Sequence, residues 1–152
     1  MLTVRQAAGA QDMQTVRELF LEYQAALGVD LCFQGFAEEL ASLPGKYISL
    51  LLALSDGKPL GCVALRPFAD ADGEMKRLYV RPAGRGRGIG RMLAARVIDE
   101  ARRAGYRRVV LDTLPSMKEA QALYRSLGFR EVAPYYANPI PGTSYLALPL
   151  SA

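Results

Sequence analysis

The feature that most constrains the fold is one stretch of sequence, EMKRLYVRPAGRGRGIGRMLAARVIDEARRAGYRRVVLDT, at residues 74–113. A strand-like segment, EMKRLYV, leads into a turn rich in glycine and arginine. Apolar residues then recur at every fourth position from Ile89 to Ala101, which predicts an amphipathic helix. The segment RRVVLDTL, at 107–114, predicts a buried strand. A strand, a helix and a strand in this order predict two parallel strands joined by a right-handed crossover.

The segments before this stretch predict a strand, two helices and two more strands. The first strand is LTVRQA, and a helix follows from about Asp12, a candidate N-cap, to Leu27. A shorter helix is predicted at 36–43. The segments YISLLLAL and LGCVALRPF, each followed by a turn, predict two strands of a meander that continues into EMKRLYV.

After the crossover, the spacing of Ser116 and Glu119 predicts a capping box that opens another helix. The segments FREVAPYY and SYLALPL predict the last two strands. The order β–α–α–β–β–β–α–β–α–β–β defines an α/β fold, a mixed β-sheet flanked by helices. We expect a single domain over residues 1–152.

Composition limits the chemistry that is open to the chain. It has no histidine, so a catalytic base or acid must be another residue type, and the commonest metal ligand is missing. Cys32 and Cys62 form no CxxC pair, which argues against a metal site, and both are expected to be buried free thiols. No apolar run approaches the length of a membrane span, and no signal peptide is evident. We therefore expect a cytoplasmic protein that binds no metal and no membrane.

The turn after EMKRLYV has glycine at every second position from Gly84 to Gly90. Its backbone N–H groups, at the start of a helix, predict a site for a phosphate-bearing anion. A dinucleotide fingerprint, GxGxxG, fails because its third glycine would fall at Arg91 or at Ile89. The P-loop pattern also fails, because arginine and methionine follow the last glycine.

The pattern that does fit is Arg85-x-x-Gly88-x-Gly90 between a strand and an amphipathic helix. It resembles the pyrophosphate loop of the GNAT superfamily of N-acetyltransferases. The whole stretch 74–113 is similar to that family's central strand–loop–helix–strand. The segment AQALYRSLGFRE, at 120–131, is similar to its following helix and turn.

The resemblance implies transfer of an acetyl group from acetyl-CoA, the acyl-donor co-substrate, to an amine. It also implies that the central parallel strands splay apart to admit the pantetheine arm of the coenzyme. The cofactor-binding residues it implies are Leu78, Tyr79 and Val80 on the strand, and Arg85, Gly86, Arg87, Gly88, Ile89, Gly90 and Arg91 in the loop.

The resemblance places Tyr124 at the position of the general acid, although Tyr124 also continues the apolar stripe of its helix. A backbone N–H of residues 78–80 is the candidate oxyanion donor. Glu74 is the first candidate for the base and Asp112 the second, and proton removal without a dedicated base stays open. One departure is Met117, which stands where many relatives have an asparagine that contacts pantetheine.

The acceptor is expected to be the amine of a small molecule or an amino-acid-like compound. Aromatic residues that suggest part of its pocket are Phe33, Phe36, Tyr135 and Tyr136. Arg66 and Lys76, on neighbouring strands, are candidates to hold a carboxylate, or are simply surface charges.

Two other functions stay open at this point. One is a non-catalytic acetyl-CoA-binding sensor with the same fold. The other, less favoured, is a basic nucleic-acid-binding domain, since the net charge is +4 and arginines cluster from Arg77 to Arg108. The resemblance is also compatible with a homodimer.

Overall fold

A computed structural model describes residues 1–31 and 34–150, so Cys32 and Phe33 lie outside the described residues. A seven-stranded mixed sheet has the strand order β1-β2-β3-β4-β5-β7-β6. The strands are β1 (Leu2–Gln6), β2 (Ser49–Ser55), β3 (Lys58–Phe68), β4 (Asp72–Val80), β5 (Arg108–Thr113), β6 (Arg130–Val132) and β7 (Ser144–Pro149). The helices are α1 (Gly9–Leu27), α2 (Phe36–Ser42), α3 (Ile89–Arg103) and α4 (Lys118–Ser126). This order of elements confirms the predicted fold class.

Two apolar cores lie on the two faces of the sheet. One joins the buried stripe of α3, including Leu93 and Val97, to the sheet and to Tyr124 of α4. The other packs Leu19 and Phe20 of α1 against the opposite face. Cys62 belongs to the second core as a buried free thiol, as predicted. None of the helices in residues 1–31 and 34–150 has the length and apolar character needed to cross a membrane.

The central strands β4 and β5 are parallel but pair only at their first residues. Asp72, Gly73 and Glu74 of β4 face β5, and residues 75–80 have no partner there. On its other side, β4 bulges against β3 at Arg77, whose φ of 62° is left-handed. A bulge bends and twists its strand, and β4 leaves β5 as it passes this point. The predicted splay of the central parallel pair is confirmed.

Both predicted helix caps are wrong. Helix α1 begins at Gly9, earlier than expected, and Asp12 lies inside it. The Asp12 carboxylate accepts the backbone N–H of Ala8 at 2.9 Å, so it satisfies the helix start from within the first turns. Helix α4 has Met117 as its N-cap and no side-chain capping bond, so Ser116 does not form a capping box.

The segment expected as a strand at 129–136 is mostly not one. Only Arg130–Val132 forms β6. Pro134 lacks the N–H that a sheet ladder needs, and the pairing has already ended before it. The chain bends at Tyr135 and Tyr136, and their hydroxyls reach carboxylates on the central strands.

Candidate active site

The loop between β4 and α3 presents a row of unused backbone donors. Gly86 and Gly88 have φ of 78° and 75°, a region that other residues rarely adopt. The first helical bond here runs from the N–H of Met92 to the carbonyl of Gly88. The six N–H groups of residues 86–91 donate no hydrogen bond to any described residue. They lie at the positive end of the α3 dipole, so they form a site for an anion.

Three arginines surround this row of donors. Arg85 donates to the carbonyl of Val80 at 3.3 Å, Arg87 to Ser55 Oγ at 3.0 Å and Arg91 to Ser126 Oγ at 2.6 Å. All three are exposed, and none is ion-paired within the described part of the chain. Their charges therefore add to the positive potential of the loop.

A cavity of about 750 Å³ extends from this loop along the open edge of β4. Leu78, Tyr79 and Val80 form one wall, and they belong to the part of β4 that has left β5. The start of α4, with Met117, and Tyr23 of α1 complete it. Every cofactor-binding residue predicted from the sequence except Arg87 lines this cavity; Arg87 lies on the loop beside it. The site fits a long ligand with an anionic group at the loop.

A smaller cavity begins where the large one ends. The two share Tyr23, Leu27 and Met117. The smaller one lies beside the splayed strands, and its polar lining is Gln34, Lys76, Arg77, Asp112, Thr113 and Asn138. A ligand in the large cavity would thus end at the entrance to a second, polar compartment.

Tyr124 is buried on α4, with its ring 5.8 Å from that of Phe129. It is not among the lining residues of either cavity. Its hydroxyl makes no hydrogen bond to a described residue. Burial, together with the nearby Tyr23 and Asp112, raises the pKa of Tyr124 above its ordinary value. The phenol therefore stays protonated near neutral pH and has a proton to donate.

Asp112, near the end of β5, lines the smaller cavity. Its Oδ2 accepts hydrogen bonds from the Tyr136 hydroxyl and, at 2.9 Å, from Asn138 Nδ2. Burial, together with the hydrogen bond to Asp112, raises the pKa of Tyr136. No cation in the described residues forms an ion pair with Asp112, so it enters the cavity lining as an uncompensated carboxylate.

Glu74 is completely buried at the last paired position of β4 and β5. Its Oε1 accepts from Arg66 Nε at 2.7 Å, and its Oε2 accepts from the Tyr135 hydroxyl at 2.6 Å. It is not among the lining residues of either cavity. The structure thus separates the two carboxylates that the sequence offered as a base.

Two cations on β4 reach the smaller cavity. Arg77 is ion-paired with Glu39 at 2.8 Å, donates to Gln34 Oε1 at 2.7 Å, and lies over the ring of Phe36. Lys76 is buried and donates to the same Gln34 oxygen at 3.1 Å. Burial lowers the pKa of Lys76 to about 8, against the opposing attraction of Glu74 and Asp112.

The sequence did not single out Tyr23, Gln34 or Asn138. Tyr23 has the same helical spacing as the apolar residues Val16, Leu19 and Phe20 of α1. Burial raises its pKa to about 12, although the charge of Arg77 opposes this. Gln34 and Asn138 lie in connections with no local pattern. The only available signal was a polar side chain in the connection between α1 and α2 and another in the connection between β6 and β7.

The described residues contain no group of three or more side chains able to hold a metal ion. Residues 13–129 match the sequence profile of the acetyltransferase (GNAT) family. An uncharacterised N-acetyltransferase of Schizosaccharomyces pombe is 42% identical over 147 residues, which cover 93% of this chain and 90% of that protein. The chain therefore belongs to the GNAT family of acetyltransferases.

Solved structures share the fold. An acetyltransferase of the GNAT family from Staphylococcus aureus has a TM-score of 0.82 at 18% identity and covers 99% of this chain and 100% of its own. The yncA protein of Salmonella typhimurium, solved with its cofactor acetyl-CoA, has a TM-score of 0.72 at 26% identity. That alignment covers 100% of this chain and 95% of yncA.

Proposed function

We propose that this protein is an acetyl-CoA-dependent N-acetyltransferase that acts on the amine of a small or amino-acid-like acceptor. The observation that carries the proposal is the continuity of the two cavities. A row of free backbone donors suited to a pyrophosphate opens the first cavity, and a polar compartment with a carboxylate lies at its other end.

In this proposal, the N–H groups of residues 86–91 bind the pyrophosphate, with Arg85 and Arg87 at its rim. The open edge of Leu78, Tyr79 and Val80 offers backbone groups to the pantetheine amides, as a neighbouring strand would. Met117 lies at the junction of the two cavities and has no side-chain amide, so recognition of the pantetheine arm relies on the backbone of β4.

Acetyl-CoA supplies an acetyl group that is activated as a thioester. The acceptor enters as an ammonium ion, and Asp112 accepts one proton from it to free the nitrogen lone pair. A new N–C bond then replaces the S–C bond. Tyr124 gives its proton to the departing sulfur and regains one from the acylated nitrogen, so one proton is released per turnover.

Asp112 is the better candidate for the proton acceptor because it lines the compartment where the amine would lie. Glu74 already accepts hydrogen bonds at both oxygens and lines neither cavity. We propose that Glu74 instead positions Tyr135, whose ring packs against that of Tyr136 with centroids 5.4 Å apart. Tyr136 in turn donates to Asp112.

The first experiment is thermal unfolding with acetyl-CoA, with free CoA and with duplex DNA at physiological salt. A ligand that binds only the folded state raises the midpoint. We expect both coenzymes to raise it, and acetyl-CoA to lose its acetyl group to amines in a panel. Coenzyme binding without transfer to any amine would indicate a sensor. A midpoint raised by DNA alone, in a salt-sensitive way, would contradict the proposal.

A further inference from the structure

Not all of the charged side chains that line the smaller cavity are in ion pairs. Its charged lining residues are Lys76, Arg77 and Asp112, and Arg77 is already ion-paired with Glu39. The other two, Lys76 and Asp112, form no ion pair with any described residue. Among the described residues, the compartment therefore has one positive and one negative charge that are not in ion pairs, although Asp112 attracts Lys76 from beyond ion-pair distance.

The fold places these two charges side by side. Glu74 and Val110 are the last paired residues of the parallel strands, and Lys76 and Asp112 each stand two residues further on. Side chains two residues apart in a strand share a face. Lys76 and Asp112 therefore face the same side of the sheet, on opposite sides of the gap that opens between the strands.

The environment of Lys76 indicates that its ammonium group lacks a partner. The side chain is 7% exposed, and its one hydrogen bond is to Gln34 Oε1, a neutral oxygen that Arg77 also uses. A buried ammonium has three donors and is costly without an anion nearby. An anionic group on the ligand would supply the missing acceptor.

We propose that the acceptor is a zwitterion, a compound with an amine and a carboxylate a few bonds apart, whose carboxylate binds Lys76 while its amine lies at Asp112. This inference rests on the proposed function and narrows its substrate class. The apolar part of the lining consists of Leu27, Leu31, Leu114, Met117 and Ile140, and the cavity has a volume of only about 20 Å³. The acceptor would therefore reach Lys76 and Asp112 from the side of the large cavity, and a short side chain is favoured. A polycationic acceptor would meet the repulsion of Lys76.

The test compares amino acids with their own primary amides. The pairs are alanine and alaninamide, methionine and methioninamide, and β-alanine and β-alaninamide, with acetylation followed by thiol release. Rates are expressed per concentration of the ammonium form, because that is the form in which the acceptor is proposed to enter. We expect at least one amino acid to exceed its amide in kcat/KM by about 10- to 100-fold, the range of a charge-assisted hydrogen bond.

The variant Lys76→Met removes the charge and keeps an unbranched apolar chain. We expect it to bring the acid-to-amide ratio of kcat/KM close to one, whereas Lys76→Arg retains part of the preference. Lys46→Met, at an exposed lysine that lines neither cavity, is the matched control and should leave the ratio unchanged.

Equal rates for acid and amide in the unaltered protein, or faster rates for the amides, would overturn the inference while leaving the acetyltransferase proposal intact. A preference that survives in Lys76→Met would overturn it as well. Failure of the proposed function gives a different result, since no compound of either series would then receive an acetyl group, whether or not acetyl-CoA binds.

Discussion

The two cavities are built from different parts of the polypeptide. The large one uses backbone: free N–H groups at residues 86–91 and the open edge of β4. The smaller one uses side chains from α1, the α1–α2 connection, both splayed strands and the connection before β7. A backbone site depends on conformation and tolerates changes of side chain, except where only glycine fits. A side-chain site depends on every residue that forms it.

Because of this difference, substitutions would affect the coenzyme site and the acceptor pocket in different ways. A coenzyme is the same for every acceptor, so a site made of one contiguous loop suits it. An acceptor pocket gathered from distant segments can be altered one side chain at a time. We therefore expect substitutions in the smaller cavity to change turnover and acceptor choice, and substitutions in the loop to change affinity for the coenzyme.

The largest effect is expected for Tyr124→Phe, which removes the proposed proton donor and keeps the ring that packs on Phe129. General acid catalysis contributes about 10²- to 10⁴-fold, so kcat should fall by at least about 100-fold. Acetyl-CoA should still bind, because the loop is untouched. Tyr106→Phe, at a tyrosine that packs against the same core and lines neither cavity, serves as the control. An unchanged kcat would remove Tyr124 from the mechanism.

The next largest effect distinguishes the two carboxylates. Asp112→Asn should lower kcat by about 10²-fold, in the lower part of the range for a lost general base. Glu74→Gln should act on stability instead, by about 1–3 kcal/mol, because Arg66 and Tyr135 lose their charged acceptor. Steady-state kinetics and urea unfolding of both variants separate these effects. A larger kcat loss in Glu74→Gln, with stability unchanged, would make Glu74 the base.

A smaller effect is expected in the loop. Gly88→Ala places a Cβ on a residue with φ of 75°, at the centre of the anion site. We expect KM for acetyl-CoA to rise about 10-fold, the equivalent of about 1.4 kcal/mol. Gly57→Ala is the matched control, since its φ is 83° and its Cβ would also meet nothing within 4 Å. Both variants should lose similar stability, about 1–2 kcal/mol, so an equal KM in the two would contradict a loop site.

The last prediction concerns the dependence of stability on pH. Lys76 has a pKa of about 8 in the folded protein, below its ordinary 10.5. Below pH 8 it is charged in both the folded and unfolded states, and the folded state bears the cost of burying the charge. Between pH 8 and 10.5 the folded state releases the proton first, so stability rises with pH by up to about 1.4 kcal/mol per unit.

Lys76→Met lacks this titration, so its Tm relative to the unaltered protein should fall by a few °C between pH 7.5 and 10. Lys46→Met, whose lysine is exposed, should show no such trend. A Tm difference that is constant with pH would mean that Lys76 titrates near its ordinary value.

The difference between a cavity built from backbone and one built from side chains also explains what could be predicted from the sequence. The order of elements and the glycine loop follow from local periodicity and from residues that are close in the chain, and the splay of the parallel pair was implied by the family resemblance. The smaller cavity depends on contacts between distant segments, such as the hydrogen bond from Gln34 to Tyr136. Tyr23 has the same helical spacing as Leu19 and Phe20, so only the tertiary structure distinguishes a cavity residue from a core residue.

Local sequence patterns also assigned the N-caps of two helices wrongly. Asp12 caps the start of α1 from inside the helix, and α4 starts at Met117 without a cap. Tyr135 and Tyr136 were singled out as candidate pocket residues by their aromatic character, but neither of them lines the large or the smaller cavity. Their roles as donors to Glu74 and Asp112 could not be predicted, because Pro134 and the bend that follows it determine where they point.

The most direct measurement is a crystal structure of the protein with coenzyme A. We expect the pyrophosphate oxygens within hydrogen-bonding distance of the N–H groups of residues 86–91. The thiol should lie where Tyr23 and Met117 join the two cavities, near the hydroxyl of Tyr124. Phosphates held elsewhere, or a thiol directed away from Tyr124 and Asp112, would contradict the assignment of the two cavities to coenzyme and acceptor.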